Sequence, residues 1–202
     1  KNSLLTRMIN TMLGFAPKRS MPLLHRQTLD RWMKGYIKNL RDTSRKKGKV
    51  YLYNDEFTNF NDTDIGIKSI RLLNRLGYEV IIPRHLESGR TFLSKGLVRK
   101  AKSIANSNIE FLKDQISEET PLIGIEPSAI LAFRDEYPDL AYKENKDHAR
   151  RLAEHSYMID EFLAREMKAH RISKDQSHDA SKQILLHGHC QQKAVASTEP
   201  TK

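Results

Sequence analysis

The sequence predicts an α/β fold: a parallel four-stranded sheet with flanking helices in three layers, preceded by an N-terminal helical segment. Two observations predict it. Four short apolar runs end abruptly in polar residues, namely Lys49 to Asp55, Glu79 to Pro83, Pro121 to Pro127, and the run opening at Ile184 that reads Ile-Leu-Leu-His-Gly-His-Cys up to Cys190. Amphipathic helical stretches separate them, and strands separated by single helices are the signature of a parallel sheet with right-handed crossovers.

Taken in order, Leu4, Leu5, Met8, Ile9, Met12 and Leu13 recur at helical spacing, and Gly14 can end that helix. Phe15 to Leu24 carries Pro17 and Pro22 and is expected to be irregular. A second helix, Gln27 to Arg41, places Leu29, Trp32, Met33, Tyr36, Ile37 and Leu40 on one broad face, which needs a partner surface. Strand one runs Lys49 to Asn54, and a loop over residues 55–62 leads into a helix from Thr63 to Leu76, buried along Ile67, Ile70, Leu73 and Leu76. Strand two reaches Ile82. A loop through Glu87, Ser88, Gly89 and Arg90 then reaches Ser94, the expected N-cap of a helix from Lys95 to Gln115 that buries Leu97, Ala101, Ile104, Ile109 and Leu112. Strand three ends at Ile125, and Glu126-Pro127-Ser128 opens a short helix, since proline suits a first turn. A last long helix, Asn145 to His170, presents Leu152, Ile159, Phe162, Leu163 and Met167, and a polar loop, Ser173 to Ser181, precedes the fourth strand.

A chain of 202 residues can bury one sizeable core. The Lys and Arg excess, 35 against 25 acids, gives a net charge of +10, which raises nucleic acid or an anionic surface as partner. The excess is spread over helices, however, with local clusters only at Arg45 to Lys49 and Arg99 to Lys102 and no interleaved aromatics, so solvated helix faces are the better reading and nucleic acid is not expected. No apolar run reaches spanning length and no secretory pattern opens the chain. One cysteine cannot form an internal disulfide, which agrees with a reducing, cytoplasmic setting, with association at the membrane surface left open. The first residue is Lys, so a fragment of a longer protein is expected. Phosphate loop, dinucleotide fingerprint and nucleophile elbow are all missing, which leaves nucleotide and serine hydrolysis without support.

In parallel sheets the site lies beyond the carboxyl ends of the strands. That rule collects Asp55, Asn59, Glu87, Ser88, Gly89, Arg90, Glu126, Ser128, His187, His189 and Cys190 along one rim. His187 and His189 stand two apart on an extended end and point to opposite sides, so at most one aims with Cys190 at a common ligand. A zinc site needs three or four ligands and could recruit only Glu87 or Glu126, which disfavours it.

Three stretches carry a family resemblance: Asp55-Glu56-Phe57-Thr58-Asn59-Phe60; Glu126-Pro127-Ser128 with Phe133-Arg134-Asp135-Glu136-Tyr137-Pro138; and His187-Gly188-His189-Cys190-Gln191-Gln192-Lys193-Ala194. Together they resemble the cysteine-rich domain, named for a Cys-Cys-Gly motif, of iron–sulfur oxidoreductases. The likeness is strongest to the C-terminal part of large FAD-linked oxidases of the D-lactate or D-2-hydroxyglutarate dehydrogenase kind. Residues 49–202 would be that domain, ending where a second repeat begins, and residues 1–48 a helical connector from an upstream ferredoxin-like domain. The resemblance implies no cofactor in this fragment, and an iron–sulfur cluster and FAD in the full-length protein. The implied partners are the upstream FAD and ferredoxin-like domains and an electron carrier or quinone.

Two departures matter. Glu87-Ser88-Gly89-Arg90 stands where the family's first Cys-Cys-Gly belongs, and Ala129 follows Glu-Pro-Ser where the family commonly has Cys. Carboxylate, hydroxyl and methyl groups do not readily replace thiolates at a cluster. Aligning residues 49–56 with 183–190 sets Cys190 opposite Glu56, so Cys190, with His189, reads as a cluster ligand of the full-length protein; the alternative is a small buried hydrophobe. Glu87 to Arg90 is either a remnant pocket or a tight surface turn. Glu126 is expected to cap its helix rather than act as acid or base, Phe57, Phe60 and Phe133 to be core, and residues 134–136 to form a surface turn with local ion pairs. No residue is assigned a catalytic role.

Overall fold

The computed structural model describes residues 4–20, 22–39, 47–176, 183 and 185–201. Two helices come first, α1 (Leu4–Met12) and α2 (Leu29–Asn39), followed by β1 (Gly48–Tyr53), α3 (Glu56–Phe60), α4 (Thr63–Arg75), β2 (Tyr78–Ile81), α5 (Arg90–Leu93) and α6 (Val98–Leu112). The second half carries β3 (Leu122–Gly124), α7 (Pro127–Leu131), α8 (Glu136–Leu140), α9 (Lys146–Glu154), β4 (Ser156–Met158), α10 (Ile159–Lys168) and α11 (Cys190–Val195).

The four strands form one parallel sheet in the order β2-β1-β3-β4, with Val50 opposite Val80, Tyr51 opposite Leu122 and Ile123 opposite Tyr157. Alternation along the strands divides the core in two. Val50 and Leu52 face one side with Tyr78, Val80 and Ile123, and Leu29, Met33, Ile70, Leu73 and Phe162 from α2, α4 and α10 pack there. Tyr53, Leu122 and Met158 face the other, beneath Ile109 and Leu112 of α6, Ile130 of α7, Phe133, Tyr137 and Leu152. A sheet buried on both faces must be apolar on both, which is why its strands read as runs rather than alternations. Gly124 is needed where β3 ends, because a Cβ there would lie 2.3 Å from that of Ile130.

The parallel four-stranded, three-layer expectation agrees with this architecture, but the fourth strand is a different one. The stretch expected to be a single helix from Asn145 to His170 divides into α9, β4 and α10. Residues 185–189 form no strand, with Leu185 fully exposed and Leu186 49% exposed; Ile184 lies outside the described residues. Other corrections are local. Ser94 closes α5, and α6 starts after Leu97, which is 51% exposed. The loop expected over residues 55–62 holds α3, whose Phe57 and Phe60 are exposed, while Phe133 is core as expected. Met167 is exposed too. Leu40, Arg41, Arg45 and Lys46, with most of the loop after Gln176, lie outside the described residues. Among the described residues no helix is long and apolar enough to cross a membrane.

Candidate functional site

The strand order turns about β1: the chain steps outward to β2, then returns past β1 to add β3 and β4, which puts the topological switch point beyond the carboxyl ends of β1 and β3. At the tip of β1, Asp55 is buried and caps α3, accepting from Phe57 N and Thr58 N, each at 2.9 Å, and from Thr58 Oγ1 at 2.6 Å. Burial pushes its carboxyl above the usual range, and the Thr58 bonds oppose that rise. Asn54 donates to Asp30 Oδ1 at 2.8 Å and Asn59 Oδ1 accepts from Asp30 N at 3.2 Å, so the start of α2 is tied to the rim.

The turn after β2 is held from several sides. Glu56 accepts both donors of buried Ser88, the backbone N at 3.1 Å and Oγ at 2.7 Å. Tyr137, fully enclosed, donates to Ser88 O at 3.0 Å, and Asn108 Nδ2 donates to Glu87 O at 3.0 Å and to Tyr137 Oη at 2.9 Å. Leu86 N donates to Asn108 Oδ1 at 2.6 Å, and Tyr53 Oη to Leu86 O at 3.0 Å. Gly89 takes φ +79°, the left-handed region that glycine tolerates. Arg90 forms an ion pair with Glu136. Burial raises the phenol pKa of Tyr53 and Tyr137, which keeps both as neutral donors, and burial lowers that of His85, whose ring stacks obliquely on Tyr53.

At the tip of β3, Glu126 caps α7 as expected, accepting from Ala129 N at 2.6 Å and from Ser128 Oγ at 2.7 Å. His189 Nε2 comes within 3.9 Å of Glu126 Oε1, while its Nδ1 accepts from Gln191 N at 3.2 Å and caps α11. Cys190 therefore opens a helix rather than ending a strand. It is exposed, so the buried-hydrophobe alternative does not hold, and His187 is exposed as well. Asp55 and His189 cap their helices alike, and Glu56 and Cys190 are the first residues of those helices. Residues 134–136 pair across elements rather than locally: Arg134 bonds Glu161 at 2.8 Å, Asp135 accepts from Gln191 at 3.2 Å, and Glu136 takes Arg90.

The rim residues thus fall into two groups, Asp55 to Asn59 with Glu87 to Arg90, and Glu126 to Ser128 with His189 and Cys190, joined through Asp135 and Glu136. The sequence reading missed Glu56, Asn108 and Tyr137 as organisers of the first group. A signal was present for one of them, since Asn108 interrupts the buried stripe that runs from Ile104 to Leu112. Among the described residues, no three of His, Cys, Asp and Glu are placed to hold a metal ion. Nor do the side chains fit an iron–sulfur cluster, which needs several thiolates. The Glu87 to Arg90 turn offers a carboxylate and a hydroxyl already bonded to Glu56, α7 offers the buried methyl of Ala129, and the chain has one thiol.

No family model and no solved structure matches the chain. Curated proteins do. D-2-hydroxyglutarate dehydrogenase of Pantoea ananatis is 29% identical over 126 residues, 58% of this chain and 12% of that protein. The protein of the same name from Haemophilus influenzae is 24% identical over 156 residues, covering 75% and 15%. One of the subunits of anaerobic glycerol-3-phosphate dehydrogenase of Escherichia coli is 25% identical over 151 residues, covering 69% and 38%. The chain spans between 12% and 38% of the length of these relatives. It is similar to segments of dehydrogenases, and it folds as a parallel α/β unit.

Proposed function

We propose that the chain is the C-terminal domain of an FAD-linked iron–sulfur oxidoreductase acting on a 2-hydroxy acid, where it serves electron transfer or domain docking with a degenerate first Cys-Cys-Gly place. The flavin and the cluster ligands other than Cys190 belong to other parts of the polypeptide, and an electron carrier or quinone takes the electrons. The observation that carries the reading is the carboxylate of Glu56 closed onto both donors of Ser88. The turn that stands in place of the thiolates is satisfied from within, so it is a built structural joint. Cys190 remains, exposed and one residue from the His189–Glu126 contact, at the position matching Glu56 in the other half of the rim. The residues here orient and dock; hydride removal is the flavin's chemistry.

A second reading, a non-catalytic interaction domain, rests on the same joint, because a turn whose Ser88 donors are both taken by Glu56 is also what a pure docking surface needs. Cys190→Ser in the intact oxidoreductase separates them. Turnover with the physiological acceptor is expected to fall about tenfold or more if the thiol lies on the electron path, with loss of one electron paramagnetic resonance signal on reduction. Unchanged turnover and an unchanged spectrum support docking alone.

A further inference from the structure

The N-terminal helix is inside out. Leu4, Leu5, Met8, Ile9, Met12 and Leu13 are between 46% and 84% exposed, and the one buried residue of α1 is Asn10. Asn10 holds the helix in this orientation. Its Nδ2 donates to Arg19 O at 2.8 Å and its own carbonyl accepts from Phe15 N at 2.8 Å, so the polar side lies on the Gly14 to Arg19 turn and the apolar stripe faces away. Further on, Leu23 and Leu24 are 87% and 73% exposed. The charge around this stripe has one sign: Arg7, Lys18, Arg19 and Arg26 lie between Leu4 and Leu29, and no acid does.

We infer that α1 with its following turn is an interfacial docking element for an anionic lipid bilayer. Short amphipathic helices flanked by cations lie in the headgroup plane, held by apolar burial and by attraction to anionic lipid. A helix face made only for a protein neighbour has no need of an acid-free stretch from Leu4 to Leu29 with four cations in it. The inference does not depend on whether the rim carries electrons, since neither the helix nor its cations belong to the rim.

The test is sedimentation of the purified 202-residue chain with phosphatidylglycerol–phosphatidylcholine vesicles and with phosphatidylcholine vesicles alone. Binding to the mixed vesicles is expected to be about tenfold or more tighter and to weaken with added salt. Arg7→Gln combined with Arg19→Gln is expected to lower partitioning about thirtyfold. Leu5→Glu combined with Met12→Glu is expected to abolish it with the thermal melt unchanged, because both side chains are exposed. Absence of sedimentation with the anionic vesicles, or equal binding to both kinds, overturns the inference. So does a concentration-dependent dimer that Leu5→Glu dissolves in a chain that ignores vesicles, which would make the stripe a contact between two copies.

Discussion

Glu56 and Ser88 stand 32 residues apart and meet in a half-buried setting, where losing a partner costs more than making the bond stabilises. Glu56→Ala, which strands both Ser88 donors, is expected to destabilise by about 1–3 kcal/mol. Adding Ser88→Ala to it should cost less than the sum of the two single changes, and urea unfolding of the four-member cycle measures that coupling. Acid titration reads other groups. Burial lowers the pKa of His85 in the folded chain, so the unfolded chain takes the proton first; stability is full above about pH 6.5 and falls as pH drops through the folded value. Glu166 behaves likewise at lower pH. Burial pushes its carboxyl up, but bonds from Arg171 and Tyr78 outweigh that and hold it below the usual range, so its contribution is lost as pH falls through that depressed value. Asp55 has the opposite sign: its raised pKa means that acidification relieves a cost. His85→Gln is therefore expected to lose less stability between about pH 7 and pH 5 than the parent, as read by chemical unfolding at each pH.

Among the elements, β3 and α7 depend on one missing methyl. Gly124→Ala sets a Cβ against Ile130 at 2.3 Å from Cβ and 2.7 Å from Cγ1, a clash with the root of the side chain that a rotamer change cannot clear. A cost of about 1–3 kcal/mol is expected, and Ile130→Ala in the same chain should not restore the parent, because alanine keeps the Cβ at 2.3 Å and leaves a void in the core, as thermal unfolding would show. The first three strands were legible because each is an apolar run with a sharp polar stop. β4 was not. Ser156-Tyr157-Met158 is three residues long, and Leu152, Ile159 and Phe162 keep helical spacing straight through it, so local pattern favours helix while pairing with β3 decides for strand. Leu185 and Leu186 misled for the converse reason: apolarity in sequence is not burial, and nothing in a run says whether an edge is available for it. The caps at Glu126 and Asp55 follow from local chemistry, the first of them visible in Glu-Pro-Ser. The Glu56–Ser88 joint is a product of topology, and no spacing encodes it.

Over the whole molecule the two cores share only the sheet, and the C-terminal segment fastens one side of it. Gln192 is 5% exposed and its Nε2 donates to Asp160 Oδ2 at 3.1 Å, Thr201 Oγ1 at 3.1 Å and Ser197 O at 3.3 Å, while Val195 and Ala196 pack on the core beneath α6 and α7. One amide thus ties α11, the last turn and the start of α10 together above β4, and Gln191 extends the tie to Asp135 beside the Arg90–Glu136 pair. Gln192→Ala removes the donor and leaves Asp160 without that partner, so a loss of about 1–3 kcal/mol is expected. Its distribution is the sharper measure. Hydrogen exchange should quicken in α11, α7 and the first turn of α10, whereas α4 and the β1–β2 pair, on the opposite flank with their own core, should keep their protection. Uniform quickening across α4 would mean that the sheet transmits the loss and that the halves of the rim unfold as one unit, in which case Cys190 and the Glu56–Ser88 joint could not be altered independently.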